Sequence, residues 1–317
     1  MNNLTVTSSP HIRSNASTFK IMLDVVIAMV PLLAASAFIF GVRALWLAFA
    51  SVFFCVFFEY LFDLVTGKSG TVSNLSAVVT GLLLAFNLPV TAPVWVVLIG
   101  AFIAIVIVKC LFGGLGKNFA NPAATARVVL MLSFGSILAA RTIPVWQNGG
   151  IDVISGATPL QAAAADPIPS LLNLFLGIRG GALGETCVAA ILLGAIYLVI
   201  KRVINPITPI VFIGTAALMA WAFGLDPLRQ IMTGSIFLGA CFMATDYATT
   251  PLTVWGKAVF AAGCGILTMI IRQYSIFPEG VAFAILLMNI ATPLIDRVCA
   301  RRPFGSLRRT DSEAEKA

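Results

Sequence analysis

The sequence predicts an all-α polytopic membrane protein with about ten transmembrane segments in two inverted repeats of five. The first observation is composition: 59% of the residues are hydrophobic and 10% are charged, against about 25% charged in soluble domains. The second is that long apolar runs alternate with short polar breaks. The third is that two of these runs are short and flanked by Gly, Pro, Asn and Thr, which predicts broken or re-entrant segments.

The predicted segments follow the apolar runs in order. They are 21–40, 44–62, 75–88, 94–112, 122–139, 186–200, 207–223, 231–244, 254–271 and 281–298. The two short runs, 75–88 and 231–244, occupy the third place in each half. Because each half has an odd number of crossings, the two halves must run in opposite orientations.

A weak internal echo supports the two halves. In the first, Thr80-Gly81 precedes a span that ends at Lys109. In the second, Thr233-Gly234 precedes a span that ends at Arg272. Coincidence among small residues is the alternative explanation.

The charges predict the topology. With the N-terminus in the cytoplasm, fifteen of the 20 Lys and Arg residues fall inside and five fall outside, namely Arg43, Arg141, Arg179, Arg229 and Arg272. Both termini are therefore expected in the cytoplasm, with no removable signal peptide. The predicted parts are a cytoplasmic segment 1–20, a first repeat 21–139, an extracytoplasmic loop 140–185, a second repeat 186–298 and a basic cytoplasmic tail 299–317.

Composition also excludes several functions. The net charge of +7 is spread between the apolar runs and the tail, so it does not form a nucleic-acid surface. The single histidine, His11, excludes bis-histidine haem ligation and Ser-His-Asp hydrolysis. The six cysteines lack the spacing of a metal site and are expected to be packing residues.

The longest polar interruption contains Asp152-Val-Ile-Ser155-Gly156-Ala157-Thr158, followed by Pro159-Leu-Gln161. In structural terms, Thr158 is a helix N-cap, Pro159 takes the first helical position and Gln161 completes a capping box. In functional terms, a threonine hydroxyl at a helix N-terminus is open to a phosphate group. The two interpretations are compatible.

The segment from Asp152 through Ser155, Gly156 and Ala157 to Thr158 resembles the signature at which a flavin transferase attaches FMN to the threonine by a phosphodiester bond. Other motifs extend the resemblance, to the D subunits of the Rnf electron-transport complex, over nearly the whole chain. They are Ser9-Pro10-His11-Ile12, Asp24, Gly113-Gly-Leu-Gly-Lys-Asn118-Phe-Ala-Asn121-Pro122 and Met243-Ala-Thr-Asp246 with Thr250-Pro251. The B subunit of the sodium-translocating NADH:quinone reductase is similar, but usually carries a longer N-terminal extension.

The resemblance implies a membrane protein that relays electrons between ferredoxin and NAD, coupled to translocation of sodium ions or protons across a prokaryotic inner or plasma membrane. It implies covalent FMN on Thr158, a flavin transferase for maturation, and other Rnf subunits and lipid as partners. The quinone-reductase relative also implies a non-covalent riboflavin near the cytoplasmic side, at Asn118 and Asn121.

The two asparagines have two interpretations. Amides at positions i and i+3 share one face of a helix and offer the donors and acceptors that an isoalloxazine edge requires. Alternatively, Gly113, Gly114 and Gly116 form a tight turn and the asparagines cap the helix that begins at Pro122.

Ionisable residues within predicted spans are candidates for function because charge in hydrocarbon is costly. They are Asp24, Glu59, Asp63, Arg127 and Asp246. Asp246 and Asp24 are the ion-path candidates, and Thr245 and Thr249 offer further oxygens beside Asp246. Glu59 and Asp63 are expected at the cytoplasmic interface, where water and lipid headgroups solvate them.

Two other functions fit parts of this pattern. A channel or secondary transporter without a redox role also uses inverted repeats and broken helices. A related complex that keeps a redox sensor reduced would use the same parts with another electron acceptor.

Overall fold

The computed structural model describes residues 17–67, 72–139, 141–142, 144, 155–156, 170–275 and 279–299. Its helices are α1 Thr18–Phe40, α2 Val42–Thr66, α3 Ser76–Phe86, α4 Val94–Phe102, α5 Pro122–Ser133, α6 Gly135–Ala139, α7 Leu171–Leu176, α8 Val188–Ile200, α9 Ile207–Ala222, α10 Pro227–Met232, α11 Ile236–Leu238, α12 Val254–Tyr274 and α13 Val281–Cys299. A 3₁₀ turn, Val72–Asn74, precedes α3. A two-residue strand β1, Arg141–Thr142, pairs antiparallel with β2, Ser155–Gly156.

Two π-helical segments extend α-helices without a break. Ile103–Cys110 continues α4, and Gly239–Met243 continues α11. The sequence did not predict them. Short π segments occur frequently at functional sites, because the extra residue per turn changes which side chains face the interior.

The prediction of an all-helical membrane protein is confirmed. Four helices, α1, α2, α12 and α13, are long and apolar enough to cross a membrane, and several shorter apolar helices accompany them in the part of the chain that is described. These helices satisfy their own backbone hydrogen bonds, which a segment in hydrocarbon requires.

The structure confirms that the runs 75–88 and 231–244 are short or broken. Helix α3 has only 11 residues and ends at Asn87, before Leu88-Pro89. In the later run, α10 ends at Met232 and α11 begins at Ile236, with Gly234 between them at φ 68°. A left-handed glycine permits the sharp change of direction at little steric cost.

The two short segments begin with similar backbone turns. Leu75 is left-handed at φ 61° and Ser76 starts α3, while Gly234 is left-handed and Ser235 precedes α11. Thr80-Gly81 lies inside α3, whereas Thr233-Gly234 lies between α10 and α11. The inverted repeat stays a prediction.

The predicted outer loop 140–185 is not uniformly exposed. It contains α7, and residues 181–187 before α8 are buried. Leu183 donates its backbone N–H to Leu88 O at 3.1 Å, and Gly184 donates to Phe86 O at 2.9 Å. These bonds satisfy carbonyl groups that the end of the short helix α3 leaves without intrahelical partners.

Helices that are far apart in the chain pack against each other, α1 against α8 and α5 against α13. Within the halves, α2 packs on α3 and α4, and α9 packs on α12. Glycines permit close crossings: a Cβ at Gly81 would lie 2.7 Å from Val52 Cα, and one at Gly265 would lie 2.8 Å from Phe212 O. Small residues at crossings are how membrane helices bring their backbones together.

Candidate functional site

A cavity opens at the end of the bundle that holds the N-terminus of α1 and the C-termini of α2 and α8. Its cavity volume is about 80 Å³. Its walls include Met22, Val25, Val79, Leu83, Leu198, Val203 and Phe242. Its polar lining includes Ser76, Thr80, Lys109, Asn118, Asn121, Thr245, Asp246 and Tyr247. The cavity thus unites three of the predicted site residues, Asn118, Asn121 and Asp246.

The glycine-rich loop forms the tight turn that the sequence predicted as one alternative. Gly113, Gly114 and Gly116 have φ angles of 112°, 93° and 86°. Gly114 N–H donates to Lys109 O at 3.0 Å and closes the end of the π segment. Three left-handed residues in four positions are compatible with glycine and with few other residues.

The prediction that Asn118 and Asn121 share a helical face is wrong. Both lie in non-helical chain between the glycine turn and α5, which begins only at Pro122. The glycine turn stops the preceding helix, and proline favours the first position of the next. The two side chains nevertheless line the same cavity, because the loop folds back over it.

Asn121 is a helix cap, which confirms that part of the structural interpretation. Its Oδ1 accepts from Ala123 N at 3.0 Å and Ala124 N at 3.1 Å. Its Nδ2 donates to Met243 O at 3.0 Å, at the end of the second π segment. Asn121 therefore uses its amide to join α5 to the opposite half, and it forms the wall of the cavity.

Asn118 lies beside Asp246. Its amide donates to Ala120 O at 3.1 Å and also hydrogen bonds with the Asp246 carboxylate. Asp246 accepts from Thr249 Oγ1 at 3.2 Å, while Thr250 Oγ1 donates to Asp246 O at 2.7 Å. The expectation that oxygen atoms gather at this end of the broken segment agrees with the geometry.

A second hollow of about 190 Å³ continues from the cavity and shares Met22, Leu115, Asp246 and Tyr247 with it. Its lining also includes Thr18, Gly116 and Ala248. Tyr247 donates its hydroxyl to Val203 O and so holds this side of the cavity. Asp246 consequently stands between the inner cavity and the hollow that leads outward.

A buried charged cluster forms another part of the wall. Lys109 Nζ lies 2.7 Å from Glu59 Oε1 and donates to Ser76 Oγ at 2.6 Å. Lys109 is 2% exposed and Glu59 is 1% exposed. The prediction that headgroups and water solvate Glu59 and Asp63 is therefore wrong: both are buried, because other helices cover this face of α2.

The remaining ionisable candidates lie outside the cavity. Asp24 accepts from Tyr197 OH at 2.8 Å, which joins α1 to α8, and it lines neither hollow. Arg127 on α5 forms a buried ion pair with Glu279 just before α13. The Arg127 pair is therefore a structural link between the halves.

The predicted FMN attachment site lies largely outside the described residues. Asp152, Ala157 and Thr158 belong to that part of the chain. For Ser155 and Gly156 the structure gives the backbone alone, as strand β2 opposite Arg141–Thr142. Covalent attachment at Thr158 accordingly stays a prediction.

The sequence did not identify Lys109 or Ser76 as members of the site. Lys109 ends an apolar run, where a cation is first of all a topology signal. A further signal was present: Glu59 precedes the C-terminal end of α2 by several residues, and an acidic residue inside a span needs a partner. Lys109 is the cation at a matching depth on the helix that packs against α2.

The cavity has the chemistry of a site for a flat, largely apolar ring with a polar edge. Aliphatic and aromatic walls suit the ring faces, and the amide of Asn118, the hydroxyls of Ser76 and Thr80 and the ammonium of Lys109 suit carbonyl and ring-nitrogen atoms. The riboflavin that the resemblance implies would use groups of these kinds, and its binding here stays a prediction.

The chain matches the model of the NQR2, RnfD, RnfE family over residues 5–305. It is 45% identical over 309 residues to the D subunit of the Na(+)-translocating ferredoxin:NAD(+) oxidoreductase complex of Acetobacterium woodii, covering 96% of each chain. It is 40% identical to the D subunit of the proton-translocating ferredoxin:NAD(+) oxidoreductase complex of Clostridium ljungdahlii, covering 97% of this chain and 98% of that one. The D subunit of the ion-translocating oxidoreductase complex of Escherichia coli is 34% identical, covering 95% and 98%.

Proposed function

The chain belongs to the NQR2, RnfD, RnfE family, and from this premise we propose that it is the D subunit of an Rnf-type complex that passes electrons between ferredoxin and NAD. The family match over nearly the whole chain carries the proposal. Relatives that share 45% and 40% of their residues with it are named as subunits of ferredoxin:NAD(+) oxidoreductase complexes. Other Rnf subunits are then its partners.

Within that complex, the chain is a flavin carrier. FMN is attached by a flavin transferase to Thr158, in the full Asp-x-x-Ser-Gly-Ala-Thr match, and riboflavin is bound without a covalent bond in the cavity beside Asn118. A flavin supplies the ability to accept and pass on single electrons. The chain supplies the tether at Thr158, the apolar walls, the hydrogen bonds of Asn118 and the loop position fixed by Asn121.

The ten apolar runs form ten membrane segments in two inverted repeats. The pairing of α1 with α8 and of α5 with α13 supports this arrangement, as do the matching left-handed turns at Leu75 and Gly234. Lys109 and Arg272 add a third correspondence. Each ends the fourth element of its half and bonds to the start of the third element: Lys109 to Ser76 Oγ at 2.6 Å, and Arg272 to Gln230 O at 2.7 Å.

In this arrangement the two flavins lie on opposite sides of the membrane. With both termini in the cytoplasm, the cavity faces the cytoplasm and the loop of Thr158 faces the other side of an inner or plasma membrane. Two redox groups at opposite faces shorten the distance that an electron must travel in one step across about 30 Å of hydrocarbon. This gives a physical reason for a carrier that spans the membrane.

Ion movement accompanies electron transfer. One relative is named for sodium ions and another for protons, so the transported ion is a monovalent cation of one of these kinds. Asp246, with Thr249 Oγ1 at 3.2 Å and a position at the mouth of the cavity, is the proposed point of entry. Asp24, bonded to Tyr197, is proposed as a second ion-path residue on the same end of the bundle.

The test of the proposal is covalent flavin. The full-length chain, produced with a flavin transferase, is run on a denaturing gel and viewed for fluorescence. Wild type and the control Thr142→Ala should fluoresce, while Thr158→Ala and Thr158→Val should not, although both still insert in the membrane. Fluorescence retained in both Thr158 variants would reject the attachment site. No flavin in wild type would favour the channel or transporter alternative.

A further inference from the structure

We infer that Lys109, held in place by Glu59, makes the electrostatic potential inside the cytoplasmic cavity more positive and thereby raises the reduction potential of the flavin bound there. The inference rests on the proposed function, since it concerns the non-covalent flavin. It assigns Lys109 and Glu59 a role beyond membrane topology and beyond the packing of α2 against the segment that carries Lys109.

The first support is the position of the charge. Among the described residues that line the cavity, Lys109 is the only cation. Glu59, its ion-pair partner at 2.7 Å, does not line the cavity. The pair therefore has little net charge, but its positive end faces the cavity and its negative end lies behind.

The second support is burial. Lys109 and Glu59 are 2% and 1% exposed, so water screens their field poorly. Ser76 Oγ accepts the other bond of the ammonium at 2.6 Å, and Asn74 Oδ1 in turn accepts from the backbone N–H of Ser76 at 2.9 Å. This chain of bonds fixes the ammonium at the start of α3, against the cavity wall.

The third support is the cost of this arrangement. A buried ion pair contributes little to stability compared with apolar residues of the same volume, because both charges lose their hydration. Glu59 Oε2 is buried with no hydrogen-bond partner in the described structure. A pair that costs desolvation and leaves an oxygen unsatisfied is better explained by an effect on the cavity than by packing.

The physical consequence concerns charge. Each electron delivered to the bound ring, by ferredoxin through the complex or by dithionite in a titration, adds one negative charge until a proton from water follows. The ammonium of Lys109 offsets that charge. A fixed cation near the ring therefore favours the reduced form, and the Glu59 carboxylate limits the effect.

The experiment uses the full-length chain carrying Thr158→Ala, so that only non-covalent flavin remains. The midpoint potential is measured by absorbance during stepwise reduction with dithionite and mediators. Lys109→Gln with Glu59→Gln removes both charges and keeps side chains that hydrogen bond, and we expect a lower potential. Glu59→Gln alone leaves the cation uncompensated, and we expect a higher potential. Lys109→Arg should stay near wild type.

Arg272→Gln is the matched control, because Arg272 is the counterpart of Lys109 in the other half, away from the cavity. It should leave the potential unchanged. Shifts of opposite sign in the two Glu59 variants support the inference. Bound flavin with an unchanged potential in both overturns the inference and leaves the proposed function standing. A chain that releases no flavin on acid extraction overturns the second flavin, and this inference with it.

Discussion

The side-chain amide of Asn121 donates to the backbone oxygen of Met243 at 3.0 Å, and it joins the start of α5 to the end of the second π segment. The two residues are far apart in the chain and belong to opposite halves. With its amide oriented to satisfy both neighbours, Asn289 of α13 accepts from Asn121 N at 3.0 Å and donates to Thr249 O at 3.2 Å. One polar junction thus fixes the cavity wall, the turn of Asp246 and α13 relative to one another.

This junction leads to a prediction about flavin binding. Asn118→Ala removes a hydrogen-bond donor at the cavity, and Asn121→Ser keeps an N-cap oxygen but loses the bond to Met243. Loss of a hydrogen bond from Asn118 to the flavin should cost about 1–3 kcal/mol of binding free energy, and loss of the bond from Asn121 to Met243 should loosen the loop that forms the cavity wall. The double variant should therefore release less riboflavin after acid extraction and chromatography than wild type.

Asn173→Ala is the control for that experiment, because Asn173 lies on α7 and does not line the cavity. It should release as much riboflavin as wild type. Equal riboflavin in the double variant would mean that the two asparagines only shape the loop.

The topology gives a second prediction. A reporter fused after Ala317 should be active on the cytoplasmic side, and one inserted near residue 150 should be active on the outside, since fifteen of the 20 Lys and Arg residues then lie inside. Paired reporters, one active in each compartment, check both positions. An outward C-terminus would reverse the assignment and put the cavity on the outer face.

Much of the fold could be predicted from the sequence because apolar runs and helix breakers act locally. The short helix α3 follows from the Asn-Leu-Pro sequence that ends it, and the break before α11 follows from Thr233-Gly234. The π segment Ile103–Cys110 could not be predicted in this way, because its apolar residues suit an α-helix equally well. Its geometry depends on packing against other helices.

The site was only partly predictable for a related reason. Asn118, Asn121 and Asp246 stand in recognisable motifs, and the structure brings them to one cavity. The role of Lys109 depends on its partner Glu59, which lies 50 positions away on α2. In the sequence, a lysine at the end of an apolar run looks the same whether its side chain faces lipid headgroups or a buried carboxylate. Only tertiary packing distinguishes the two.

The close crossing of α2 and α3 gives a third prediction. A Cβ at Gly81 would lie 2.7 Å from Val52 Cα and 3.1 Å from Ser51 O, and backbone atoms cannot move aside as side-chain tips can. Gly81→Ala should therefore destabilise the protein by about 1–3 kcal/mol. The measurement is the thermal unfolding midpoint in detergent.

Gly214→Ala is the matched control, because it also lies within a helix and a Cβ there meets nothing within 4 Å. Alanine should leave the midpoint unchanged or raise it, since glycine costs roughly 0.5–1 kcal/mol in a helix interior. Equal loss in both variants would show that the close crossing with α2 does not cause the effect.

The buried pair of Arg127 and Glu279 gives the last prediction. Both side chains are nearly inaccessible, so removing one charge leaves the other in a poorly solvated position. Arg127→Met or Glu279→Leu alone should cost about 3–5 kcal/mol of folding free energy, whereas the double variant should recover most of that loss.

The exposed pair of Arg229 and Asp226 is the control: Arg229→Gln should change stability by roughly 1 kcal/mol or less. The measurement is the unfolding midpoint of each of the four variants. If the double variant loses as much stability as the two single variants together, the two charges act independently rather than as a pair.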